Sequence, residues 1–293
     1  MDSKTTRQIA TILRPLFAGA LVLSVGWPVG AAAAPILLAT AGPAPNESCG
    51  GATITESSST SARASYTCSG VFATVSAEGL AQPGNLGVSS TGHHFGGPSI
   101  PNSQLATVSY EDLIVFRRLD PSLSSIVPVS LNLDLDGSLS SSDGGSSYIT
   151  GLIAIPGLFS GLFEQFTGSA GMTLLGLTAI GTVGPNVVDA RLTTRTANAI
   201  VDENYVLQLT MTGSTVVNRG ADALLDFLHT FSFPSDVPVF NLPAGYTANA
   251  GDYLVNNRFI DTDTPAAVPE PGTLSLVGLA LGGMLIARRR RRA

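Results

Sequence analysis

Lysine is almost absent from this sequence: Lys4 is the only one in 293 residues, and all charged residues together make up 12% of the chain. The rest of the protein therefore has no residue for Schiff-base chemistry or for catalysis by a lysine base. The chain also has only two cysteines and three histidines, which leaves few zinc ligands and few partners for a catalytic triad. This residue content argues against several common classes of enzyme.

The motifs that identify common enzyme active sites are also missing. The sequence contains no Gly-x-Ser-x-Gly, Ser-x-x-Lys, His-Glu-x-x-His or Gly-x-Gly-x-x-Gly pattern, and no P-loop. Two carboxylates could still meet in a cleft, as in glycosidases, but one sequence does not show which carboxylates would pair. We therefore predict that the protein is not an enzyme, with a carbohydrate-active enzyme as the alternative.

Acidic residues outnumber basic residues between the two ends of the chain. Of the 15 basic residues, Lys4, Arg7 and Arg14 lie near the N-terminus and five lie near the C-terminus, which leaves 7. Of the 21 acidic residues, all but Asp2 and Glu270 lie between, which leaves 19 and a net charge near −12. Such a surface disfavours nucleic acid, which is bound through clustered lysine and arginine. It favours solubility and divalent cations.

The N-terminus has the three parts of a secretory signal peptide. Basic residues precede an apolar stretch at 15–29, and four alanines follow at 31–34. We predict a signal peptide over residues 1–34, and therefore an exported protein. Cleavage after Ala33 or Ala41 is an alternative position, and a retained first membrane helix is the alternative interpretation.

The last part of the chain, 268–293, is a second segment with the character of a signal. Pro269 and Pro271 fix φ and keep the chain extended. Residues 272–287 are uncharged and apolar, and they predict a single transmembrane helix that rises less than about 25 Å, short of the roughly 30 Å hydrocarbon core. The arginines at 288–292 can lengthen this span by snorkelling and would hold the C-terminus on the cytoplasmic side.

The order of these parts resembles the PEP-CTERM sorting signal of Gram-negative bacteria. The resemblance covers the motif Val268, Pro269, Glu270 and Pro271, the apolar helix after it, and a terminal cluster formed by Arg288, Arg289, Arg290, Arg291 and Arg292. It implies recognition by an exosortase, a membrane transpeptidase-like protease, and removal of the tail near the Pro-Glu-Pro sequence. It also implies transient anchoring in the inner membrane, then delivery to the outer surface or the extracellular space. A plain tail anchor or a chance apolar helix is the alternative, and neither explains the Pro-Glu-Pro sequence.

Cys49 and Cys68 are the two cysteines of the chain. An even number in an exported protein predicts one disulfide, which would close a loop of about 20 residues and contribute about 3 kcal/mol of stability. A zinc pair is the alternative, although no histidine or further cysteine lies nearby in the sequence.

The central residues 35–260 predict one all-β domain, and residues 261–267 predict a flexible polar linker before the tail. Many short apolar alternations are separated by glycine, proline and asparagine turns, which favours an antiparallel β-sandwich of jelly-roll type. The clearest strand spans 125–140, with valine and leucine on one face and polar residues on the other. Asp136 and Gly137 predict a turn at its end.

Three further segments carry specific predictions. Residues 78–101 are rich in glycine, proline and serine, and they predict a long loop that contains a His-His pair. Apolar residues at helical spacing predict one short helix at about 156–166, and residues 172–183 predict a buried strand. The apolar segment 151–182 as a whole is also compatible with contact at a membrane interface.

A candidate calcium site overlaps the strand at 125–140. Asn132, Asp134, Asp136 and Asp143 match the spacing of the oxygen ligands at the first, third, fifth and last positions of a twelve-residue calcium loop. Leucines at the second and fourth positions, and an aspartate in place of the usual last glutamate, argue against such a loop. We therefore predict a half-buried strand that ends in a turn, with weak calcium binding as the alternative hypothesis.

Together these features predict an exported protein of the cell surface or extracellular matrix, with a structural or adhesive role in exopolysaccharide or biofilm. The expected partners are an exosortase, the inner membrane during sorting, and exopolysaccharide, but no nucleic acid. No cofactor is expected apart from the calcium hypothesis. The alternatives are a carbohydrate-active enzyme, a calcium-dependent lectin, and a protein that stays anchored at the inner membrane.

Overall fold

The computed structural model describes residues 34–43, 52–96, 102–251 and 253–260, except for the side chain of His229. All of these residues belong to one compact unit. The sequence predictions that lie outside them are the signal peptide up to residue 33, Cys49, the linker 261–267 and the sorting signal 268–293.

Every regular element of the described residues is a β-strand, which confirms the all-β prediction. The strands, in chain order, are β1 (Ile36–Pro43), β2 (Ile54–Ser58), β3 (Ala62–Ser69), β4 (Ala73–Gln82), β5 (Asn85–His94), β6 (Asn102–Arg118), β7 (Ile126–Ser141), β8 (Ser146–Ile155), β9 (Phe159–Phe166), β10 (Thr173–Leu175), β11 (Leu177–Val183), β12 (Val187–Thr194), β13 (Ala197–Ile200), β14 (Asn204–Val217), β15 (Asp222–Ser232), β16 (Phe240–Asn241), β17 (Tyr246–Asn249), β18 (Leu254–Val255) and β19 (Arg258–Phe259).

Seventeen of the strands form two antiparallel sheets around one shared core, a sandwich-like arrangement as predicted, and β18 and β19 form a separate two-stranded sheet. The first sheet has the order β10-β9-β8-β14-β6-β1-β2, and β17 also pairs with β6. The second has the order β11-β12-β7-β15-β5-β4-β3, and β13 and β16 also pair with β7. The arrangement is larger than a jelly roll, which has eight strands in two Greek keys, because each of the two sheet paths alone has seven strands.

Alternation along the strands builds the core, because successive side chains of a strand point to opposite faces of its sheet. On β7 the predicted inward residues are all buried: Val127, Val129, Leu131, Leu133 and Leu135. Aromatic rings join the strands edge to face. The ring centroids of Phe116 and Phe240 are 5.1 Å apart, and those of Phe163 and Phe231 are 5.4 Å apart.

The prediction of a short helix at about 156–166 is wrong. A turn at 156–158 connects β8 to β9 instead, and the two strands pair with each other. Gly157 has a φ of 86° in that turn, a conformation that favours glycine. Buried residues then alternate along β9, so that both Phe163 and Gln165 face the core.

The prediction of a long loop at 78–101 is wrong for its described part. β4 and β5 pair through this region, and Pro83 and Gly84 form the turn between them. Gly92 lies on β5 under the opposite sheet, where an added Cβ would come within 2.6 Å of the Val217 side chain. Here glycine reflects close packing of the two sheets rather than a loop.

The strand predicted at 125–140 is confirmed by β7, but the turn predicted at Asp136 and Gly137 is wrong. β7 continues through both residues to its end at Ser141. An added Cβ at Gly137 would come within 2.4 Å of the Phe227 ring on β15. Gly137 therefore makes room for a neighbouring side chain and does not reverse the chain.

Residues 172–183 do form strands, but the prediction that they are buried is wrong. β10 and β11 lie at the ends of the two sheet paths. Leu175 is 68% exposed and Ile180 is 76% exposed. Apolar composition in this segment therefore marks two sheet edges and not the centre of the core.

Candidate functional site

The candidate calcium ligands do not form a loop. Asn132, Asp134 and Asp136 lie at every second residue of β7, so neighbours on that face are about 7 Å apart along the strand. Calcium holds its ligands at about 2.3–2.6 Å, so a straight strand cannot bring the three together on one ion. Asp143 lies beyond β7, in the turn at 142–145. The geometry of β7 therefore gives no support to the alternative hypothesis of a calcium loop, and the described residues contain no group of three or more His, Cys, Asp or Glu placed to hold a metal.

Asp134 belongs instead to an ion-pair network around Arg191. Arg191 donates from Nε to Asp134 Oδ1 at 2.7 Å and from Nη2 to Asp236 Oδ1 at 2.7 Å. The strand register places Arg191 directly opposite Asp134, whereas Asp236 comes from the chain after β15. The hydrogen bond to Asp134 raises the pKa of Arg191, and the hydrogen bond from Arg191 lowers the pKa of Asp236. Arg191 thus fastens the chain after β15 to the outer face of the second sheet.

A polar cluster, formed by Ser130, Asn132, Thr193 and Asn241, continues this fastening along the same face. Asn132 and Asn241 exchange amide hydrogen bonds, with Nδ2 to Oδ1 distances of 3.0 and 3.1 Å. Thr193 Oγ1 donates to Asn132 Oδ1 at 3.0 Å, and Asn241 Nδ2 donates to Ser130 Oγ at 3.0 Å. Asn132 is buried, and these bonds satisfy its carboxamide within the protein.

The side chain of Asn257 binds the backbone of β16 at Phe240. Its Oδ1 accepts a hydrogen bond from Phe240 N at 2.8 Å, and its Nδ2 donates to Phe240 O at 2.6 Å. Asn257 N donates to Ala248 O at 2.8 Å. Asn257 has a φ of 63°, which asparagine adopts more readily than most residues. The chain between β15 and residue 260 is therefore hydrogen-bonded to the rest of the body at several separate points.

Asp112 is a carboxyl group in the core of the sandwich. It is only 4% exposed and lies on the inner face of β6. Burial raises its pKa to about 6, against the partial opposition of hydrogen bonds from Tyr110 Oη and Leu113 N. Burial and the neighbouring Asp112 also raise the pKa of Tyr110. Both Asp112 oxygens have donors, which is the arrangement of a structural buried acid.

The two adjacent histidines lie at the end of β5 and not in a loop. His93 Nδ1 contacts the carboxylate of Asp222 on β15, and its ring meets that of Phe95 edge to face at 4.7 Å between centroids. His94 is buried, and its Nδ1 accepts two backbone N–H groups at 3.1 and 3.3 Å. Protein groups therefore hold both rings.

The predicted sorting residues follow the last described residue, Ile260. They are the motif Val268, Pro269, Glu270 and Pro271 and the arginines at 288–292. Across the part of the chain that the structure describes, no helix has the length and apolar character needed to cross a bilayer, and the predicted span 272–287 lies outside it. The disulfide between Cys49 and Cys68 stays a prediction, because Cys49 is also outside the described residues.

Comparison with known families identifies the tail. The family model of the PEP-CTERM protein-sorting motif matches residues 267–292, which confirms the resemblance seen in the Pro-Glu-Pro sequence, apolar run and arginines. The match covers the end of the chain and none of the described β-sheet body. The chain therefore carries the signal of a C-terminally sorted, exported protein, and the motif implies exosortase processing and membrane-anchored sorting before surface display. No curated protein matches the chain.

Sequence reasoning does not identify Arg191, Asp236 or Asn257 as residues that fasten the C-terminal part of the body. Arg191 carries a partial signal, because it is one of seven basic residues between the terminal segments and lies on an alternating strand. Asn257 carries none, since its partner Phe240 is 17 residues away and the contact depends on the fold.

Proposed function

We propose that the protein, once its tail is removed, is a non-catalytic structural or adhesive component of the outer surface or the exopolysaccharide matrix. Its destination is inferred from the sorting motif at 267–292. The acidic central region, which contains no lysine, suits a body that stays soluble while it is displayed outside the cell.

The fastening of the chain after β15 is the observation that carries this proposal. Arg191 binds Asp236, Asn132 binds Asn241, and Asn257 binds Phe240, and all six residues precede the sorting motif. Cleavage near the Pro-Glu-Pro sequence would remove none of these contacts. The body would therefore keep its fold after processing, as a protein that works away from the membrane must.

Hydroxyl groups on the strand faces support contact with polysaccharide. Ser76 Oγ lies 2.6 Å from Thr91 Oγ1 across β4 and β5, and Thr107 Oγ1 lies 3.1 Å from Thr212 Oγ1 across β6 and β14. Each hydroxyl can both donate and accept, which matches the hydroxyl groups of a sugar chain. Each of these four hydroxyls keeps the capacity for a further hydrogen bond beyond the one within its pair.

Processing can be tested by changing the sorting motif in the full-length chain. A Pro269→Ala, Pro271→Ala double variant removes both rigid residues, and Pro265→Ala in the linker is the matched control. The mass of the protein in each cell fraction should show a shortened wild type and control at the surface or outside the cell. The double variant should keep its tail at the inner membrane. A wild type found in the cytosol with both ends intact would contradict the proposal, as would normal processing of the double variant.

Binding and catalysis can be separated with the producing cell's own exopolysaccharide. We expect the processed protein to co-sediment with this polymer, with or without a calcium chelator, and to release no new reducing ends. Failure to co-sediment would contradict the adhesive role. Release of reducing ends would favour the carbohydrate-active enzyme, and loss of binding with the chelator would favour the calcium-dependent lectin.

A further inference from the structure

Both sheets end on the same side of the sandwich, in one stretch of chain at 173–183. β10 ends the path of the first sheet and β11 ends that of the second, and Gly176 between them has a φ of 70°. Of the strands that the structure describes, none pairs with the outer side of β10 or β11. An edge of this kind presents backbone N–H and C=O groups that another strand can bind.

This edge lacks the charges by which edge strands are usually protected. Residues 173–183 include no charged residue and no proline. At the opposite side of the sandwich, Glu56 lies on edge strand β2 and Arg63 lies on edge strand β3. Arg63 also pairs with Glu78 at 2.5 Å. Charge and proline prevent unwanted strand pairing, so one side of the sandwich is protected and the other is open.

The outward side chains of β11 are uncharged and partly apolar. Ile180, at 76% exposure, is the centre of the strand, with an exposed threonine two residues away on each side. The inward side chains, which pack against the core, are Leu177, Ala179 and Val183. Gly181 has a φ of 127° but keeps its register partner on β12. The strand is therefore anchored on one face, and no described strand covers its outer edge, where Gly171 lies close to Val183 O at one end.

We propose that β11 is a self-association edge, on which a second copy of this chain pairs antiparallel and continues the sheet across two molecules. A two-fold axis at Ile180 places Ile180 opposite its own copy and Thr178 opposite Thr182. At each end of the paired strands, Leu177 of one copy then lies opposite Val183 of the other copy. Every facing pair is uncharged, and paired threonines and β-branched residues stabilise antiparallel strands.

A second copy fits this edge better than an unrelated partner because the pattern is symmetric about Ile180. Two bodies with a net charge near −12 repel each other over most of their surfaces, whereas the β11 edge is neutral. On the neighbouring strand β12, Asp189 lies beside Thr182 and Arg191 lies beside Ile180, and Arg195 follows β12 with its N–H donating to Gly176 O at 3.4 Å. Arg191 is already neutralised by Asp134 and Asp236. This inference does not depend on the proposed function.

The pairing should be weak in dilute solution. Stable complexes bury at least about 1,200 Å², and one pair of seven-residue strands contributes only part of such an area. Holding many copies at one surface raises their effective concentration and compensates for low affinity. The interaction is therefore best sought in cells that produce the chain with its sorting signal.

A cysteine scan of full-length chains in cells tests the register. Ile180→Cys places two thiols opposite each other at a Cα separation of about 4.5–5.5 Å, within the range for a disulfide. Thr182→Cys is the matched control, because its two copies would be roughly 13 Å apart. After mild oxidation, non-reducing gels should show a reducible dimer for Ile180→Cys and wild-type background for Thr182→Cys. Dimers of equal yield from both variants, or from neither, would overturn the proposal.

Introducing a charge at Ile180 provides a second test. It is read out by co-purification of two differently tagged copies of the full-length chain. Ile180→Lys places two cations opposite each other and should abolish co-purification. Leu119→Lys, at a turn residue with 71% exposure, should not. Mixing Ile180→Lys with Ile180→Glu chains should restore it, because the two charges would then face each other. Wild-type recovery of Ile180→Lys with itself would show that another surface, or a lipid or other partner, joins the copies and that β11 does not.

Discussion

Asp112 shares the inner face of β6 with Tyr110, whose hydroxyl donates to the Asp112 carboxylate at 2.9 Å. Burial raises the pKa of Asp112 from 3.8 to about 6. The folded protein therefore retains a proton on Asp112 at pH values where the unfolded chain releases it. Because protonation favours the folded state, this group stabilises the protein most at low pH.

We expect the contribution of Asp112 to the free energy of unfolding to fall by on the order of 3 kcal/mol as pH rises from about 4 to about 6. Above that pH the contribution should level off. Asp112→Asn should lose this fall and be more stable than the wild type at pH 7. Chemical denaturation at several pH values measures it. Asp120→Asn, at an exposed turn, should retain the fall, and parallel curves for wild type and Asp112→Asn would contradict the assignment.

Asn257→Ala should lower the free energy of unfolding by about 2 to 4 kcal/mol, because it leaves the buried N–H and C=O of Phe240 without side-chain partners. Asn256→Ala is a close control. Its φ is 51° against 63° for Asn257, so both variants place alanine in a left-handed conformation. Asn256 is exposed, and its backbone N–H donates to Asn249 Oδ1 at 3.0 Å. Urea denaturation should therefore show a clearly larger loss for Asn257→Ala, and equal losses would mean that backbone strain explains both.

Calcium should not stabilise this protein. Asn132 and Asp134 are engaged by Thr193, Asn241 and Arg191, and β7 spaces them too widely to share one ion. The melting temperature should stay the same in millimolar calcium and in excess chelator. An increase with calcium that disappears in Asp134→Asn would show that the strand opens to form a site.

Loss of the predicted disulfide should destabilise the protein by about 3 kcal/mol. Cys49→Ser, Cys68→Ser and the double variant should lose the same amount, because each breaks the same bond. Denaturation with and without a reducing agent measures this, and the reducing agent should affect only the wild type. Losses that add in the double variant would exclude the pairing.

The strands that sequence predicts correctly are those with a simple inward pattern. β7 has valine or leucine at each inward position from Val127 to Leu135, so its period of two is visible. On β9, Gly161 and Gln165 face inward. The Leu177 side chain from β11 occupies the space next to Gly161, and Gln165 Nε2 donates to Gly184 O at 2.6 Å. With these inward positions not apolar, the remaining apolar residues of β9 imitate helical spacing.

The sorting signal and the fastening contacts differ in how far sequence can predict them. The signal is a linear pattern, so consecutive residues carry all of its information. Arg191 and Asp134 are 57 residues apart, and Asn132 and Asn241 are 109 apart; strand order decides whether they meet. Asp112 differs in this respect, because the alternation of Val108, Tyr110 and Ile114 along β6 places its carboxylate on the inner face.

β16 and β17 come late in the chain, yet they complete sheets that are built from much earlier strands. β16 pairs with β7, and β17 pairs with the last residues of β6. A polypeptide that crosses a membrane from its N-terminus delivers these closing strands only when little of it remains to be translocated. Pairings between residues so distant in sequence also form slowly. The chain can therefore stay unfolded enough to pass through a translocation channel until its apolar C-terminal segment reaches the bilayer.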